Sequence, residues 1–533
     1  MRSRDHQPDY LIHGSTLKSQ LSWTRAIVAV DVVLLSMVTG QVQGSPTNST
    51  LQDLATARAL DVPIFTVRDR FERTLNQVGI TLVDWEGQLA NPVIRVSIRP
   101  PSDAVFPGTA TLIANSPRVY FDNPSDVSGD GPTKSVAFGS ADYQTSVGIS
   151  IFPDRDTLDE DYLLTLAMPG TAGEITTFVP IHVIDQDKTP SYPFPIQVDF
   201  SRDQTGFFDD PAKRTIIQQA ANDWFYFFDD MRLRQVPAIA ESTWIWSSTS
   251  FFTGSYTTNS STYVGFLLYS YGIHTSALRS GGEGSYAGGF QSSSGIRLPL
   301  RRSGGIEIET QGNYNSLGWF LTTDDNDWWK SGNYGNEPND LYSIAHHEMG
   351  HAFMFNPAYP RLAQAKAAGR LEDPVIYAYQ GDNPSIDAYD HLTGTIDQLS
   401  QRGAFGYEYY GNVPARRWLI TKLDLLAAQA LGYQLRSTSA LIPLTLTKTG
   451  LPFGQPYVVY TDTALVTGGL PAYRVDIVSG ALPPGLRLDS FSGVIKGTPT
   501  APGVYDFTVR VLDADDRTPA ISRAMRIAIV SMI

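Results

Sequence analysis

The chain is organised around residues 340–353, Asp340-Leu341-Tyr342-Ser343-Ile344-Ala345-His346-His347-Glu348-Met349-Gly350-His351-Ala352-Phe353. On a helix, His347 and His351 are about one turn apart and lie on the same face. Two imidazoles at this spacing can both bind one zinc ion at about 2.0–2.1 Å. Glu348 stands where a carboxylate can take a proton from an attacking water. The stretch therefore predicts a helix that begins after Asp340 as its N-cap and carries part of a zinc site.

A catalytic zinc site needs a third protein ligand. The chain has eight histidines. His346 adjoins the motif but points about 100° away from His347 around the helix. Of the remaining candidates for the third ligand, His391 is favoured, and it follows the motif in the sequence. The alternatives are Glu372, His274, Asp387 and Asp390. Glu372 is disfavoured because the Asp373-Pro374 pair makes a helix that continues past it unfavourable.

The composition limits the classes of function. The net charge of −14 disfavours nucleic acid or an anionic membrane as a partner. The chain has no cysteine, so it has no disulfides and no cysteine-ligated zinc. Its 533 residues, with 45 Gly and 34 Pro, predict several domains that are mostly β and rich in loops.

The first 44 residues resemble an export signal. Arg25 precedes an apolar run at 26–38, and Val42-Gln43-Gly44 offers a cleavage site. The run is shorter than the roughly 20 residues of a transmembrane helix. The sequence therefore predicts a secreted or cell-surface protein without stable membrane insertion. Residues 45–84 are predicted to be a linker or pro-segment, with one amphipathic helix at 61–79.

Alternating apolar residues predict an all-β sandwich at 85–190, with strands at 93–98, 110–113 and 147–151. The acidic segment at 153–166 and the closing strand that ends at Asp187 resemble the Calx-beta domain. This resemblance implies calcium ligands, which suits clustered carboxylates. The implied ligands are Asp154, Asp156, Glu160, Asp185 and Asp187.

Residues 191–437 are predicted to form an α/β (α+β) domain around the zinc helix. The expected elements are strands at 196–200, 263–271 and 305–310, an amphipathic helix at 211–228, an exposed loop at 280–295, and a closing helix at 418–433. Gly432 is expected to end the closing helix in the left-handed conformation.

This segment resembles metzincin-type zinc metallopeptidases, nearest to leishmanolysin-like secreted bacterial enzymes. His347, Glu348, His351 and His391 stand at positions that match that family, and the resemblance covers roughly 192–437. It implies peptide-bond hydrolysis with Glu348 as the general base. An edge strand at 306–310 would bind the substrate, and Tyr407, Tyr409 or Tyr410 could assist.

The sequence departs from that family in two ways. The compact metzincin signature fails because Met354 and Pro357 replace its glycine and its third histidine. No methionine occurs between His391 and the closing helix, so the methionine turn below the zinc is missing. These departures leave open a divergent enzyme or a degraded site.

Residues 438–533 resemble the Ig-like domain of bacterial surface and secreted proteins. The resemblance rests on ordered turn motifs, among them Gly480-Ala481-Leu482-Pro483-Pro484-Gly485 and Gly493-Val494-Ile495-Lys496-Gly497. It implies a second β-sandwich with a spacing or adhesive role.

The sequence thus predicts a multidomain, secreted zinc endopeptidase with two all-β sandwich domains. Its partners would be a protein or peptide substrate and, through the sandwiches, a cell surface or polysaccharide. The alternative is a non-catalytic adhesion or carbohydrate-binding protein whose peptidase domain is degenerate.

Overall fold

The computed structural model describes residues 64–531, apart from 87–88, 123–130, 188–194, 230–234, 248–249, 275–284, 288–301, 311–317, 322–338, 357–359, 406–416, 449 and 463–465. The expected export signal and the first part of the expected linker lie outside these residues. So do Pro357, Tyr407, Tyr409 and Tyr410.

An N-terminal β-sandwich comes first. Its strands are β1 (Thr66–Arg68), β2 (Ile80–Asp84), β3 (Ile94–Arg99), β4 (Gly108–Ala114), β5 (Val119–Asp122), β6 (Thr133–Phe138), β7 (Thr145–Ile151), β8 (Glu160–Gly170) and β9 (Gly173–Asp185). One sheet has the order β1-β3-β7-β5 and the other the order β2-β9-β8-β4-β6. Alternation sets the two faces: Ile94, Val96 and Ile98 of β3 are buried, whereas Arg95 and Arg99 are exposed.

The helix expected at 61–79 is wrong for the described residues 64–79. Phe65 and Val67 are fully buried two positions apart, as in a strand. Strand β1 pairs antiparallel with β3, and β2 pairs parallel with β9. The sandwich therefore begins before residue 85. The apolar residues of this segment belong to a strand, in which buried side chains alternate, and to the turn that follows it.

The central region follows the sandwich. Its strands are β10 (Ile196–Asp199), β11 (Ser242–Ser247), β12 (Ser250–Thr258), β13 (Phe266–Ile273), β14 (Ser285–Ala287), β15 (Ser303–Glu309), β16 (Trp319–Phe320), β17 (Asn339–Asp340), β18 (Ser385–Ile386) and β19 (Leu392–Thr393). Its α-helices are α1 (Pro211–Tyr226), α2 (Leu341–Phe353), α3 (Pro360–Ala368), α4 (Pro374–Gln380) and α5 (Lys422–Leu431).

The main sheet of the central region has the order β10-β13-β15-β14. Strands β10, β13 and β15 run parallel, and β14 pairs antiparallel with residues 303–305 of β15. Two predictions are corrected here. Residues 285–287 form a strand within the expected loop. The expected edge strand at 306–310 belongs to β15, which lies between β13 and β14 in the sheet and is buried over all of Ser303–Glu309.

Local sequence explains where the helices begin and end. The Asp340 carboxylate accepts a hydrogen bond from the Ser343 amide, so the predicted N-cap of α2 is confirmed. Thr421 and Asp424 form a capping box at the start of α5, and Gly432 ends that helix with φ 115°. The closing helix is therefore confirmed, although it is shorter than predicted.

Helix α2 packs against α1 and β15. The same apolar core continues into the N-terminal sandwich. Backbone hydrogen bonds also join the two regions: the Ala90 amide donates to the Ile420 carbonyl (2.7 Å), and the Val93 amide donates to the Leu399 carbonyl (2.8 Å). The sandwich is thus built onto the region that holds the histidine motif.

The C-terminal domain is a second set of antiparallel sheets. Its strands are β20 (Thr445–Leu446), β21 (Tyr460–Thr461), β22 (Val466–Thr467), β23 (Arg474–Gly480), β24 (Leu486–Leu488), β25 (Ile495–Gly497), β26 (Gly503–Leu512) and β27 (Ile521–Ile529). Strand β26 lies between β23 and β27. This domain has its own core, which includes Val475, Val509 and Ile527. Of the helices among the described residues, none is long and apolar enough to cross a membrane.

Candidate metal centre

Three histidines come together at the end of α2. Ligand nitrogens of His347, His351 and His391 lie within 4.8 Å of one another. His347 and His391 are buried, and His351 is half-buried. The helix brings the first two together, and the β18–β19 hairpin brings the third.

Each of two rings is oriented by a partner on the nitrogen that faces away from the cluster. His351 Nδ1 donates to the Phe355 carbonyl at 2.7 Å. His391 Nδ1 lies 3.1 Å from the Asp387 carboxylate. A carbonyl can only accept, and an ionised carboxylate can only accept, so both Nδ1 atoms carry the hydrogen. The Nε2 lone pairs of His351 and His391 therefore face each other, 3.2 Å apart.

Burial keeps these rings neutral at pH 7. It lowers the pKa of His347, His351 and His391, and the neighbouring rings lower the pKa of His347 and His351 further. The pKa of His351 falls to about 3. Neutral imidazole is the form that binds a metal ion.

Asp387 holds the hairpin loop as well as the ring of His391. One of its carboxylate oxygens accepts hydrogen bonds from the amides of Tyr389 (2.7 Å) and His391 (2.9 Å). Burial opposes ionisation of Asp387, but these bonds and the His391 ring hold its pKa below the ordinary value. Asp387 is thus a partner of a candidate ligand rather than the alternative ligand that the sequence left open.

Phe405 forms an apolar floor beneath the three histidines. Its ring stacks on His347, with centroids 4.7 Å apart and planes at 10°, and meets His351 edge-on at 4.9 Å. The Phe405 and His391 centroids are 5.8 Å apart. Phe355 stacks on Phe405 at 4.2 Å. An aromatic ring therefore lies against the histidines, in the interval where the sequence offers no methionine.

The other candidate residues lie apart from the three-histidine group. His346 faces α1, where its Nε2 contacts the Ala220 carbonyl at 2.9 Å. Glu372 is exposed, His274 is exposed beside Thr310, and Asp390 forms an ion pair with Lys366 at 2.8 Å.

Glu348 is buried, with 4% of its surface exposed, in the same helical turn as His347.

The acidic residues of the sandwich are brought together only in part. Carboxylates of Asp154, Asp185 and Asp187 lie within 4.8 Å of one another. Asp156 is exposed, and Glu160 pairs with Arg118. Arg118 also pairs with Asp154 and with Asp84, so a guanidinium already supplies positive charge there. Burial raises the pKa of Asp185 to about 6.

The sequence did not single out Phe405 or assign Asp387 its role as a partner of His391. The signal for Asp387 was available, because a carboxylate four residues before a histidine ligand can orient its ring. Phe405 had no comparable signal, since one apolar residue in a loop does not show what it covers.

Comparison with known families identifies one module. Residues 437–525 match the family described as Putative Ig domain. The C-terminal domain is therefore Ig-like, as its turn motifs predicted. Among curated proteins, none matches this chain in sequence.

Several solved structures are similar over parts of the chain. One is described as a putative alpha-galactosidase from Bacteroides fragilis: it is 23% identical, and the match covers 16% of this chain and 17% of that one, with a TM-score of 0.15. A second Bacteroides fragilis protein, described as a putative alpha-galactosidase/melibiase, is 20% identical over 17% of this chain and 19% of that one (TM-score 0.15). The E. coli chaperone DraB is 8% identical over 42% of this chain and 92% of that one (TM-score 0.16). The chain thus covers less than a fifth of the first two proteins.

Proposed function

We propose that the chain is a secreted, zinc-dependent endopeptidase in which His347, His351 and His391 hold the metal and Glu348 is the general base. The observation that carries this proposal is the convergence of three neutral imidazoles on one point. The secreted location is supported by the apolar run at 26–38 and its cleavage site.

The donor set fits zinc. Two lone pairs that face each other at 3.2 Å repel unless a cation lies between them. Nitrogens that share a tetrahedral zinc at about 2.0–2.1 Å are about 3.3–3.4 Å apart. Three histidines with an open fourth position form a known type of catalytic zinc site.

Zinc, when bound, supplies Lewis acidity towards the attacking water and the scissile carbonyl. Glu348 accepts the proton of that water and passes it to the amine that leaves when the C–N bond breaks. His351 and His391 keep their Nε2 atoms directed at the site because Phe355 and Asp387 hold their Nδ1 atoms. Phe405 excludes water from beneath the rings.

The alternative function is a non-catalytic adhesion or carbohydrate-binding protein. It is supported by the Ig-like domain, a type of module that serves binding as well as spacing, and by its exposed aromatic residues Phe453 (80%) and Tyr457 (77%). Both functions are compatible with a bound metal, so metal content alone does not separate them.

The test combines metal content with peptide cleavage. We expect the purified full chain to bind about one zinc per molecule and to cleave an unstructured protein such as casein. Glu348→Gln should keep the zinc and lose cleavage by at least ~100-fold, the lower range for a general base. His351→Ala should lose both.

Glu372→Gln is the matched control, because Glu372 is an exposed glutamate of the same region. It should leave zinc content and cleavage unchanged. Undiminished cleavage in Glu348→Gln would overturn the assigned base. Zinc binding without cleavage in the wild-type chain would favour the adhesion alternative.

A further inference from the structure

A side chain of the N-terminal sandwich reaches the helix that lies behind the histidines. Arg155 Nη2 pairs with Asp223 Oδ2 of α1 at 3.3 Å. The Asp223 side chain is only 8% exposed, and that of Arg155 is 21% exposed. This contact is therefore a largely buried ion pair between two parts of the fold.

The same Asp223 oxygen also holds the helix of the metal centre. The Tyr342 hydroxyl donates to Asp223 Oδ2 at 2.6 Å, and Gln219 Nε2 donates to Oδ1 at 2.6 Å. Tyr342 lies in the first turn of α2 and is fully buried. Arg155 and Tyr342 thus meet on one carboxylate oxygen, and Arg155 contributes to the position of α2 through it.

Two more contacts fix the back of α2 to α1. His346 Nε2 contacts the Ala220 carbonyl at 2.9 Å, and the Trp224 indole donates to the His346 carbonyl at 2.9 Å. These residues lie next to Asp223 on α1 and next to His347 on α2. A shift of α1 at Asp223 would therefore move the helix that carries two of the three histidines.

Arg155 lies in a loop of the sandwich whose backbone is held by hydrogen bonds and ion pairs. Its neighbour Asp154 pairs with Arg118, and the Asp154 amide donates to Asp84 at 3.1 Å. Arg118 also donates to the Phe152 carbonyl at 3.1 Å and 3.0 Å. The backbone on the N-terminal side of Arg155 is therefore fixed to the sandwich, and from there the Arg155 guanidinium extends to α1.

The charge of Arg155 makes the position of α2 depend more strongly on this residue. Burial raises the pKa of Asp223, whereas Arg155 and the Tyr342 hydroxyl favour its ionised form. Removal of Arg155 leaves the Asp223 carboxylate with hydrogen bonds from Tyr342 and Gln219 but without its ion-pair partner. Loss of Arg155 would therefore weaken the anionic acceptor that Tyr342 uses.

We propose that the N-terminal sandwich is part of the metal centre's support, with Arg155 as a positioning residue that acts through Asp223 and Tyr342 on the two histidines of α2. This inference rests on the proposed zinc site. It assigns the N-terminal sandwich a role in metal affinity.

The test measures zinc affinity in the full chain by competition with a chelating indicator, together with the visible spectrum of the cobalt-substituted protein. Arg155→Met should weaken zinc binding by about 3- to 30-fold, the range for mutations along a coupled network. It should also change the cobalt spectrum. Arg155→Lys, which keeps the charge, should restore part of the affinity.

Tyr342→Phe should weaken zinc binding to a similar extent. The double variant of Arg155→Met and Tyr342→Phe should have about the zinc affinity of the single variant that binds zinc less tightly, because both residues act through Asp223. Arg99→Met is the control, since Arg99 is an exposed arginine of the same sandwich. If Arg155→Met does not fold, as judged by circular dichroism, then Arg155→Lys and Tyr342→Phe carry the test.

The outcomes separate the two proposals. A wild-type chain that binds zinc tightly, while Arg155→Met, Arg155→Lys and Tyr342→Phe bind it equally well with the same cobalt spectrum, overturns the role of the sandwich and leaves the zinc site. A wild-type chain that binds no zinc overturns both.

Discussion

At the scale of single residues, Asp387 is the clearest test of how the third histidine is held. Its carboxylate contacts both the ring and the amide of His391. Asp387→Ala removes both contacts, and partners of this kind are worth about 10- to 100-fold in metal affinity. We expect a loss of zinc affinity in this range, measured by competition with a chelating indicator.

Asp382→Ala is the control for this prediction. Asp382 is an exposed carboxylate of the same region and pairs with Arg370. It should leave zinc affinity unchanged. If Asp387→Ala binds zinc as tightly as Asp382→Ala does, the orientation of His391 is set by the hairpin backbone alone.

A second residue, Asp424, predicts a dependence of stability on pH. Burial raises the pKa of Asp424 to about 7, against hydrogen bonds from Thr421 and from the Phe405 amide. Since the pKa is higher in the folded chain than in the unfolded chain, the folded state binds the proton more tightly. This contribution to stability is complete below about pH 4 and is lost as the pH rises through about 7.

Asp424→Asn isolates that contribution, because asparagine keeps one acceptor oxygen and does not titrate. The difference in free energy of unfolding between the wild-type chain and the variant, from urea titrations, should fall between about pH 4 and pH 7. A difference that grows with pH would instead mean that the donors stabilise the anion.

The site was predictable from sequence only for the residues whose chemistry is local. The helical spacing of His347 and His351 marks a pair of ligands, and elimination among eight histidines leads to His391. The role of Asp387 and the floor at Phe405 depend on how a hairpin and a loop fold back on α2. No local pattern encodes that arrangement.

At the scale of elements, the packing of α2 depends on a glycine inside the histidine motif. A Cβ at Gly350 would lie 2.3 Å from Phe405 Cε2. Glycine to alanine within a helix normally stabilises by about 0.5–1 kcal/mol. Here we expect Gly350→Ala to destabilise by about 1–3 kcal/mol, as overpacking does, with weaker zinc binding because Phe405 presses on His347. Urea unfolding and the zinc competition assay measure the two effects.

Phe405→Leu in the same chain provides the control. The smaller side chain should relieve the overlap, so Gly350→Ala should cost less in that background than in the wild type. Equal costs in both backgrounds would show that the strain lies elsewhere in α2.

Elements with strong local signals were predictable. Helices α2 and α5 have capping residues at their ends, and α1 has apolar residues at a helical period. Each of these patterns is typical of a helix. The segment at 64–79 was not predictable in this way, because Val67, Phe71 and Leu75 are spaced four residues apart and so also fit a helix, although the chain forms a strand and turns there. Pairing with β3, which is distant in sequence, decides the outcome.

At the scale of the whole molecule, the cores divide the chain differently from its sequence motifs. One large core runs through the N-terminal sandwich and the central region, whereas the Ig-like domain has a core of its own. Turn motifs predicted the second boundary. The union of the first two regions was not predictable, since it rests on contacts such as the Arg402 guanidinium over the Phe152 ring at 5.2 Å.

This division predicts two thermal transitions in the full chain. Because the sandwich and the central region share a core, they should unfold together, and the Ig-like domain should unfold separately. A ligand stabilises only the unit that binds it, by about 2.7 kcal/mol at 100 times its dissociation constant. We therefore expect calorimetry to show that zinc raises the temperature of the larger transition by several degrees, and that a chelator reverses this shift while the smaller transition stays in place.

His351→Ala is the control for the calorimetry, because it removes one ligand and should abolish the shift while both transitions remain. A single transition that moves as a whole with zinc would mean that the contacts of Leu470 and Ala514 with the larger core couple the Ig-like domain to it. A separate third transition for the sandwich would contradict the shared core. It would also weaken the role of Arg155, because a sandwich that unfolds while the central region keeps its zinc cannot be holding α2 in place.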